Sequence, residues 1–345
     1  MKSRPHSRAS SGNAKKRLLI ILFLILLFIT ILVSITIGNY RIPVFSVFQS
    51  IAARLGFGSV TDNNYMVLVC DIRLPRVLLA ALGGMCLSLS GTTFQGIFRN
   101  PLVEPYILGI SSGAAFGAAL SIVFLRNIIP IGISAFIFSI LAMMLSYFIA
   151  TKGRKTSLVN LILSGLIVGA IFAALLNLIK SFAPDNVLRE IIFWLMGGYY
   201  IANWSDVLVM LPITIISLIA LTSLGWKLNV LVTGDEEARS LGVNVAALKL
   251  VLIGISTFLT ASIVSRCGII SWVGLMIPHA SRLMIGSDNR FLLPFSAIFG
   301  AIFMIICDTA ARTIIMGEIP ISVVTSIIGA PYLIFLIRKN RQVDL

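Results

Sequence analysis

Apolar runs of about 20 residues recur along nearly the whole chain, and no soluble fold can bury so many of them. We count about ten: residues 18–37, 77–97, 106–125, 129–150, 158–180, 206–225, 247–265, 269–285, 291–312 and 321–337. In hydrocarbon every backbone N–H and C=O needs an internal partner, which leaves helices or a closed barrel. The runs lack the alternation a barrel strand requires, so the expected fold is all-α and polytopic. Composition agrees, with 58% hydrophobic and 12% charged residues, where a soluble chain carries about 25% charged.

Basic residues then set orientation. Of the 27 lysines and arginines, most fall in the stretch before residue 18, in every second loop and after residue 337. This bias puts both termini in the cytoplasm. Residues 1–17 read as a disordered basic tail, and 18–340 as a single membrane domain. The first run is too long for the core of a signal peptide and reads as a retained span. Residues 44–55, on the outer side, read as a short amphipathic helix lying on the membrane. The net charge of +14 comes without basic, aromatic-interleaved grooves, which excludes nucleic acid as a partner. Cys70, Cys86, Cys267 and Cys307 show no CxxC spacing, and His6 and His279 lie far apart, so no metal site or cofactor is expected. Cys86 and Cys307 sit in apolar runs as packing residues, whereas Cys70 and Cys267 could share the outer face as a disulfide.

Residues 91–114, GTTFQGIFRNPLVEPYILGISSGA, form the least generic segment. Gln95, Arg99, Asn100 and Glu104 are costly in hydrocarbon unless they face protein or water. Pro101 and Pro105 should end one helix near Asn100 and let the next begin around Tyr106. The small residues that follow permit close helix approach.

Other segments carry recognisable chemistry. Arg73 and Arg76 flank Pro75 in DIRLPR and form either a docking point for a carboxylate-bearing partner or a pair of headgroup contacts. Asp308 and Arg312 stand four apart and can pair on one helix face. Residues 228–249 place Asp235, Glu236 and Glu237 at a helix start and Gly242 at its end. A short helix, a glycine turn and a second short helix should protrude into the cytoplasm, with Ala238 and Leu241 in a surface suited to a partner's groove. His279 lacks a reaction partner and is read as ordering its loop by hydrogen bonding. Gly329 and Pro331 suit a bend or a close contact in the last span.

Taken together these segments resemble the permease subunits of ABC importers for iron chelates, haem and cobalamin. The resemblance runs from about residue 35 to 339 and rests on several motifs in order. These are RLPR at 73–76, the elbow residues Gly91, Gln95, Asn100, Pro101, Leu102 and Pro105, LGISSGA at 108–114, and WLMGG at 194–198. GDEEARSLG at 234–242, VGLMIPHASR at 273–282, DTAAR at 308–312, and EIP at 318–320 with GAP at 329–331 complete the set.

The resemblance implies a ten-span subunit that pairs with an identical or paralogous permease around the cargo path. It implies two cytoplasmic ATPase subunits on the inner loop, about residues 228–248, and an extracytoplasmic binding protein docking on Arg73, Arg76 and Arg312. Gly234, Asp235, Glu236, Glu237, Ala238, Leu241 and Gly242 would form the coupling segment. Gln95, Asn100, Pro101, Leu158 and Val159 would line the path or its inner gate. The implied cargo is an iron–siderophore complex, with haem or cobalamin as the alternative. The chain has no GxxxxGK[ST] phosphate loop, so ATP hydrolysis falls to a separate subunit. An ion-coupled carrier would want an ionisable residue deep in a span, for which Asp308 is the one candidate.

Overall fold

A computed structural model describes residues 6–38, 40–57, 63–126, 128–152, 155–315 and 317–340. Apart from a two-stranded antiparallel ribbon, β1 (Thr151–Lys152) and β2 (Lys155–Thr156), its regular elements are helical. In order they are α1 (His6–Thr36), α2 (Val44–Arg54), α3 (Asn63–Met66), α4 (Leu74–Phe98), α5 (Ile110–Leu120), α6 (Ile131–Ala150), α7 (Leu158–Phe182) and α8 (Asp185–Met196). There follow α9 (Trp204–Ser223), α10 (Gly225–Thr233), α11 (Asp235–Ser240), α12 (Val245–Cys267), α13 (Val273–Ile285), α14 (Asn289–Thr313) and α15 (Ile321–Asn340). A π-helical stretch, Val67–Arg73, joins α3 to α4.

Among the described residues, 7 helices are long and apolar enough to cross a membrane, and shorter apolar helices lie at Ile110–Leu125, Val273–Ile285 and Ile321–Phe335. Each of the ten expected spans therefore has its helix. The first begins earlier than expected: α1 starts at His6, so 6–17 are helical where the sequence pointed to a disordered tail. The amphipathic α2 is present, burying Val47 and Ser50.

The bundle is built around α4. Its most apolar window is 89% buried, against 11% for α1 at the periphery. The cause is side-chain size. A Cβ on Gly84 would lie 2.0 Å from the Gly300 carbonyl oxygen of α14, and one on Gly91 would lie 1.8 Å from that of Gly274 on α13. Backbones this close exclude any side chain between them. Three hydroxyls of the same helix are satisfied locally or across a helix contact: Thr92 and Thr93 donate to the carbonyls of Ser88 and Leu89, and Ser90 donates to the Ser256 carbonyl on α12 at 2.9 Å.

The start of α1 marks one end of the bundle, the near end, where Lys16 lies over the Phe291 ring at the start of α14. At the far end Ser34 bonds Thr309 near the end of α14. Following the chain, α10 and α11 lie at the near end and α8 at the far end. Two spans are broken. After α4 the chain leaves the helix at Arg99 (φ 52°), makes a single 3-10 turn at Pro105–Leu108, and enters α5 only after Gly109 (φ 78°). After α12, residues 268–272 run without helix until Trp272 (φ 75°) leads into α13.

Because α4 depends on glycine at its contacts, Gly91→Val should lower stability by roughly 1–3 kcal/mol, the usual effect of overpacking. Thermal unfolding in detergent measures it; an unchanged midpoint would show that α4 and α13 are not in contact.

Candidate functional site

At the far end the three predicted arginines do converge, but they face inward. Arg73 donates from Nη1 to the carbonyls of Ile35 at 2.6 Å and Thr36 at 3.3 Å, and from Nη2 to that of Tyr40. It thus serves the carbonyls that the end of α1 leaves without intrahelical partners. Arg76 grips Asp308 through Nε and Nη2 at 3.0 and 2.9 Å and reaches Glu318 through Nη1 at 2.6 Å. Arg312 stands 3.7 Å from the same Asp308 and donates to the Ser34 backbone and hydroxyl. The side chains of Arg76 and Arg312 are only 12% and 9% exposed. The guanidiniums of the three arginines are thus taken up by carboxylates, carbonyls and a hydroxyl of the same chain. Glu318, 46% exposed, is the member of the network that solvent reaches. Cys70 and Cys267 are both free and buried, so the disulfide is not formed.

At the near end α10 and α11 form the protruding hairpin. Ala238 is fully buried, whereas Glu236, Glu237 and Leu241 are exposed, Leu241 at 61%. Gly242, at φ +78°, closes the helix with a bond from its own N–H to Arg239 and one from Val243 to Ala238, the Schellman pattern. The second short helix is absent, because Asn244 caps α12 directly and the chain passes straight into that span.

Asp235 is the hairpin's anchor. It pairs with Lys249 of α12 at 2.6 Å and with Arg99 at the end of α4. Burial pushes its carboxyl up, but the bond to Lys249 and the charges of Lys249 and Arg99 outweigh that and hold it below the usual carboxylate value. Arg99 also donates to the Leu231 carbonyl of α10 at 3.2 Å. Gly234, buried under the Glu237 carboxylate, gives the turn between α10 and α11. A second tie holds α10 to α14: Asn229 donates to Asp288 at 2.7 Å and accepts from the Asn289 backbone at 2.8 Å. Hydrogen bonds from Arg290 hold Asp288 down at about 2. Sequence reasoning missed Arg99 and Lys249 as partners of the hairpin, although Arg99 stood out in the polar elbow.

The path residues are scattered rather than assembled. Gln95 is buried and donates to the Leu275 carbonyl of α13 at 3.1 Å, which makes it a bond between helices. Asn100 and Pro101 are exposed, and Asn100 accepts from the Leu102 N–H at 2.9 Å as the seed of the turn. Leu158 and Val159 start α7 at the near end, the former half-buried and the latter exposed. Between the two broken spans lies a junction the sequence did not reveal. The Glu104 carboxylate accepts from the Trp272 N–H at 3.0 Å, and the Tyr106 hydroxyl donates to the Ile270 carbonyl at 2.9 Å and accepts from the Ile270 N–H at 3.3 Å. Beside it a cavity of about 540 Å³ is lined by Leu102, Glu104, Tyr106, Ser271, Trp272 and Leu333. His279 makes an edge contact with Tyr332, and its Nδ1 has no partner among the described residues, so the expected hydrogen bond is not the device that orders that loop. Among the described residues no group of three or more His, Cys, Asp or Glu is placed to hold a metal ion.

The model of the FecCD transport family matches residues 26–339. The chain belongs to the FecCD transport family. Its curated relatives include the molybdate import system permease protein of Haemophilus influenzae, 38% identical over 92% of this chain and 94% of that one. Another is the hemin transport system permease protein of Yersinia pestis, 37% identical over 96% and 98%. A solved structure described as an inward-facing conformation of a metal-chelate type ABC transporter is 37% identical, with a TM-score of 0.84 over 93% of this chain and 99% of that one. The FecCD match thus spans all of the helices described above except residues 6–25 of α1 and the last residue of α15.

In this FecCD chain Asp308 should be the residue on which the far end depends. Asp308→Asn leaves Arg76 without its bidentate partner in a buried site and should destabilise by about 3–5 kcal/mol. Glu318→Gln, at the exposed rim, should change stability by less than about 1 kcal/mol. Equal effects in a denaturation series would contradict the inward-facing arrangement.

Proposed function

We propose that this FecCD permease carries an iron–siderophore complex across the cytoplasmic membrane by alternating access, with both of its termini in the cytoplasm. Two cytoplasmic ATPase subunits grip the α10–α11 hairpin, a second permease copy or paralogue completes the path, and an extracytoplasmic binding protein delivers the cargo to the far end. The observation that carries this reading is the hairpin itself. It exposes Glu236, Glu237 and Leu241 while Asp235 ties it to the end of α4 and the start of α12. A push on that surface therefore reaches the central helix and the neighbour on which it packs. Leu158 and Val159 at the start of α7 then serve as an apolar gate at the cytoplasmic end, with Asn100 and Pro101 exposed on the elbow at the same end.

Arg73, Arg76 and Arg312 act in docking by holding the far-end surface in shape rather than by offering free charges. A bulky chelate suits this path better than a bare oxyanion, because the charged group lining the open cavity beside the junction is the Glu104 carboxylate, with no cation among the described residues that line it. Haem and cobalamin are the remaining alternatives of the same type, and the ligand retained by the cognate binding protein distinguishes them.

The reading predicts separable defects at the hairpin. Replacing Glu236 and Leu241 together should weaken ATPase binding by roughly 30-fold or more, since exposed anchors of such contacts contribute about 1–2 kcal/mol each, while the fold stays intact. Asp235→Asn should keep ATPase binding but lower the ratio of cargo transported to ATP hydrolysed in proteoliposomes. Full coupling in both variants would overturn the assignment. The sign with pH follows from the depressed Asp235 carboxyl: its contribution is complete above the ordinary value of 3.8 and is lost as pH falls through its lower folded value.

A further inference from the structure

A groove of about 590 Å³ opens between α6, α9 and α12 toward the far end, away from the hairpin, the arginine cluster and the Glu104 junction. Its walls are Ile133 and Phe136 of α6, Val209 and Ile213 of α9, and Phe258 of α12, with the Phe136 and Phe258 rings edge to face at 5.7 Å. These helices are spans, so the groove runs along the surface that hydrocarbon covers. At its far-end rim sits an ion pair between Asp206, in the first turn of α9, and Arg266, in the last turn of α12.

The chemistry of that rim is specific. Arg266 uses Nη1 on Asp206 Oδ1, and both side chains remain partly exposed. Among the described residues the Nε and Nη2 donors of Arg266 and the second oxygen of Asp206 have no partner. The pair therefore presents a free guanidinium edge beside a free carboxylate oxygen, at the level where lipid headgroups meet the end of a span. A phosphate accepts from a guanidinium edge, and an ammonium a few atoms away donates to a carboxylate. The apolar slot below receives a chain too flexible to be held by shape alone, through burial of its methylene groups.

We propose that this groove binds one zwitterionic phospholipid, with an acyl chain between Ile213 and Phe258, the phosphate on Arg266 and the headgroup ammonium on Asp206. The charge pair favours this lipid over phosphatidylglycerol, whose headgroup ends in a neutral glycerol and offers the Asp206 carboxylate no ammonium, so the charge-assisted bond is lost.

Native mass spectrometry of the full-length protein, delipidated and then offered phosphatidylethanolamine, phosphatidylglycerol or diacylglycerol, tests this. The expected result is one retained phosphatidylethanolamine per chain and markedly less of the other two. Ile213→Trp, which fills the slot and leaves the rim intact, should reduce retention by about tenfold, equivalent to about 1.4 kcal/mol. Equal retention of all three lipids, or an unchanged adduct in Ile213→Trp, would overturn the proposal, as would a protein dimer that this variant dissociates. Should Ile213→Trp fail to fold, a photoactivatable acyl chain on the wild-type protein keeps the question open to refutation: crosslinks should fall on the peptides holding Ile213 and Phe258, and crosslinks confined to other spans would contradict it.

Discussion

Backbone that leaves the helix inside an apolar bundle must find its hydrogen-bond partners in the protein, and this requirement governs the architecture. Among the described residues two such stretches, one before α5 and one before α13, satisfy each other. Glu104 accepts from the Trp272 N–H, while the Tyr106 hydroxyl serves both polar groups of the Ile270 backbone. The close approach this needs comes from small residues: a Cβ on Gly274 would meet Pro105 at 2.4 Å, and one on Gly165 would meet the Ile107 carbonyl at 2.1 Å. The two breaks also mirror one another. The chain runs from far to near end in α4 before its break, and from near to far end in α12 before its own, so the broken spans stand in opposite senses. That is the pattern of inverted halves meeting at a central junction.

Charges are handled by the same rule. At the far end Asp308, Arg76 and Arg312 form a buried network closed by Ser34, and Arg73 caps the end of α1. At the near end Asp235 and Asp288 each gather donors from two helices. The difference is exposure. The far-end network turns its charge inward and presents Glu318, whereas the near-end hairpin keeps its anchor partly covered and presents two carboxylates and a leucine. One end closes on itself, and the other offers charge and an apolar side chain to solvent.

Much of this was legible in the sequence. Each of the ten apolar runs holds a helix among the described residues, 7 of them long and apolar enough to cross a membrane and three shorter, and the proline elbow announced its break through Pro101 and Pro105. Helix ends were less legible. The elbow was expected to stop at Asn100 and resume at Tyr106, yet α4 ends at Phe98 and α5 begins at Ile110, because Arg99 and Gly109 take left-handed conformations at the two edges of the break. The amphipathic α8 went unread, although Val187, Ile191 and Trp194 mark its buried side. The direction of the arginines was not legible at all. Spacing shows where a guanidinium starts, but whether its partner belongs to the same chain depends on residues such as Ile35 and Asp308 that are distant in sequence. The Glu104 junction was hidden for the same reason.

The account stands or falls on which side of the membrane the hairpin occupies. All four native cysteines are buried, so a thiol introduced at the exposed position 236 can be read almost without background. A membrane-impermeant maleimide applied to intact cells should leave this thiol unlabelled, and permeabilising the membrane should expose it to rapid labelling. Full labelling in intact cells would place the hairpin outside and contradict a permease driven from the cytoplasm.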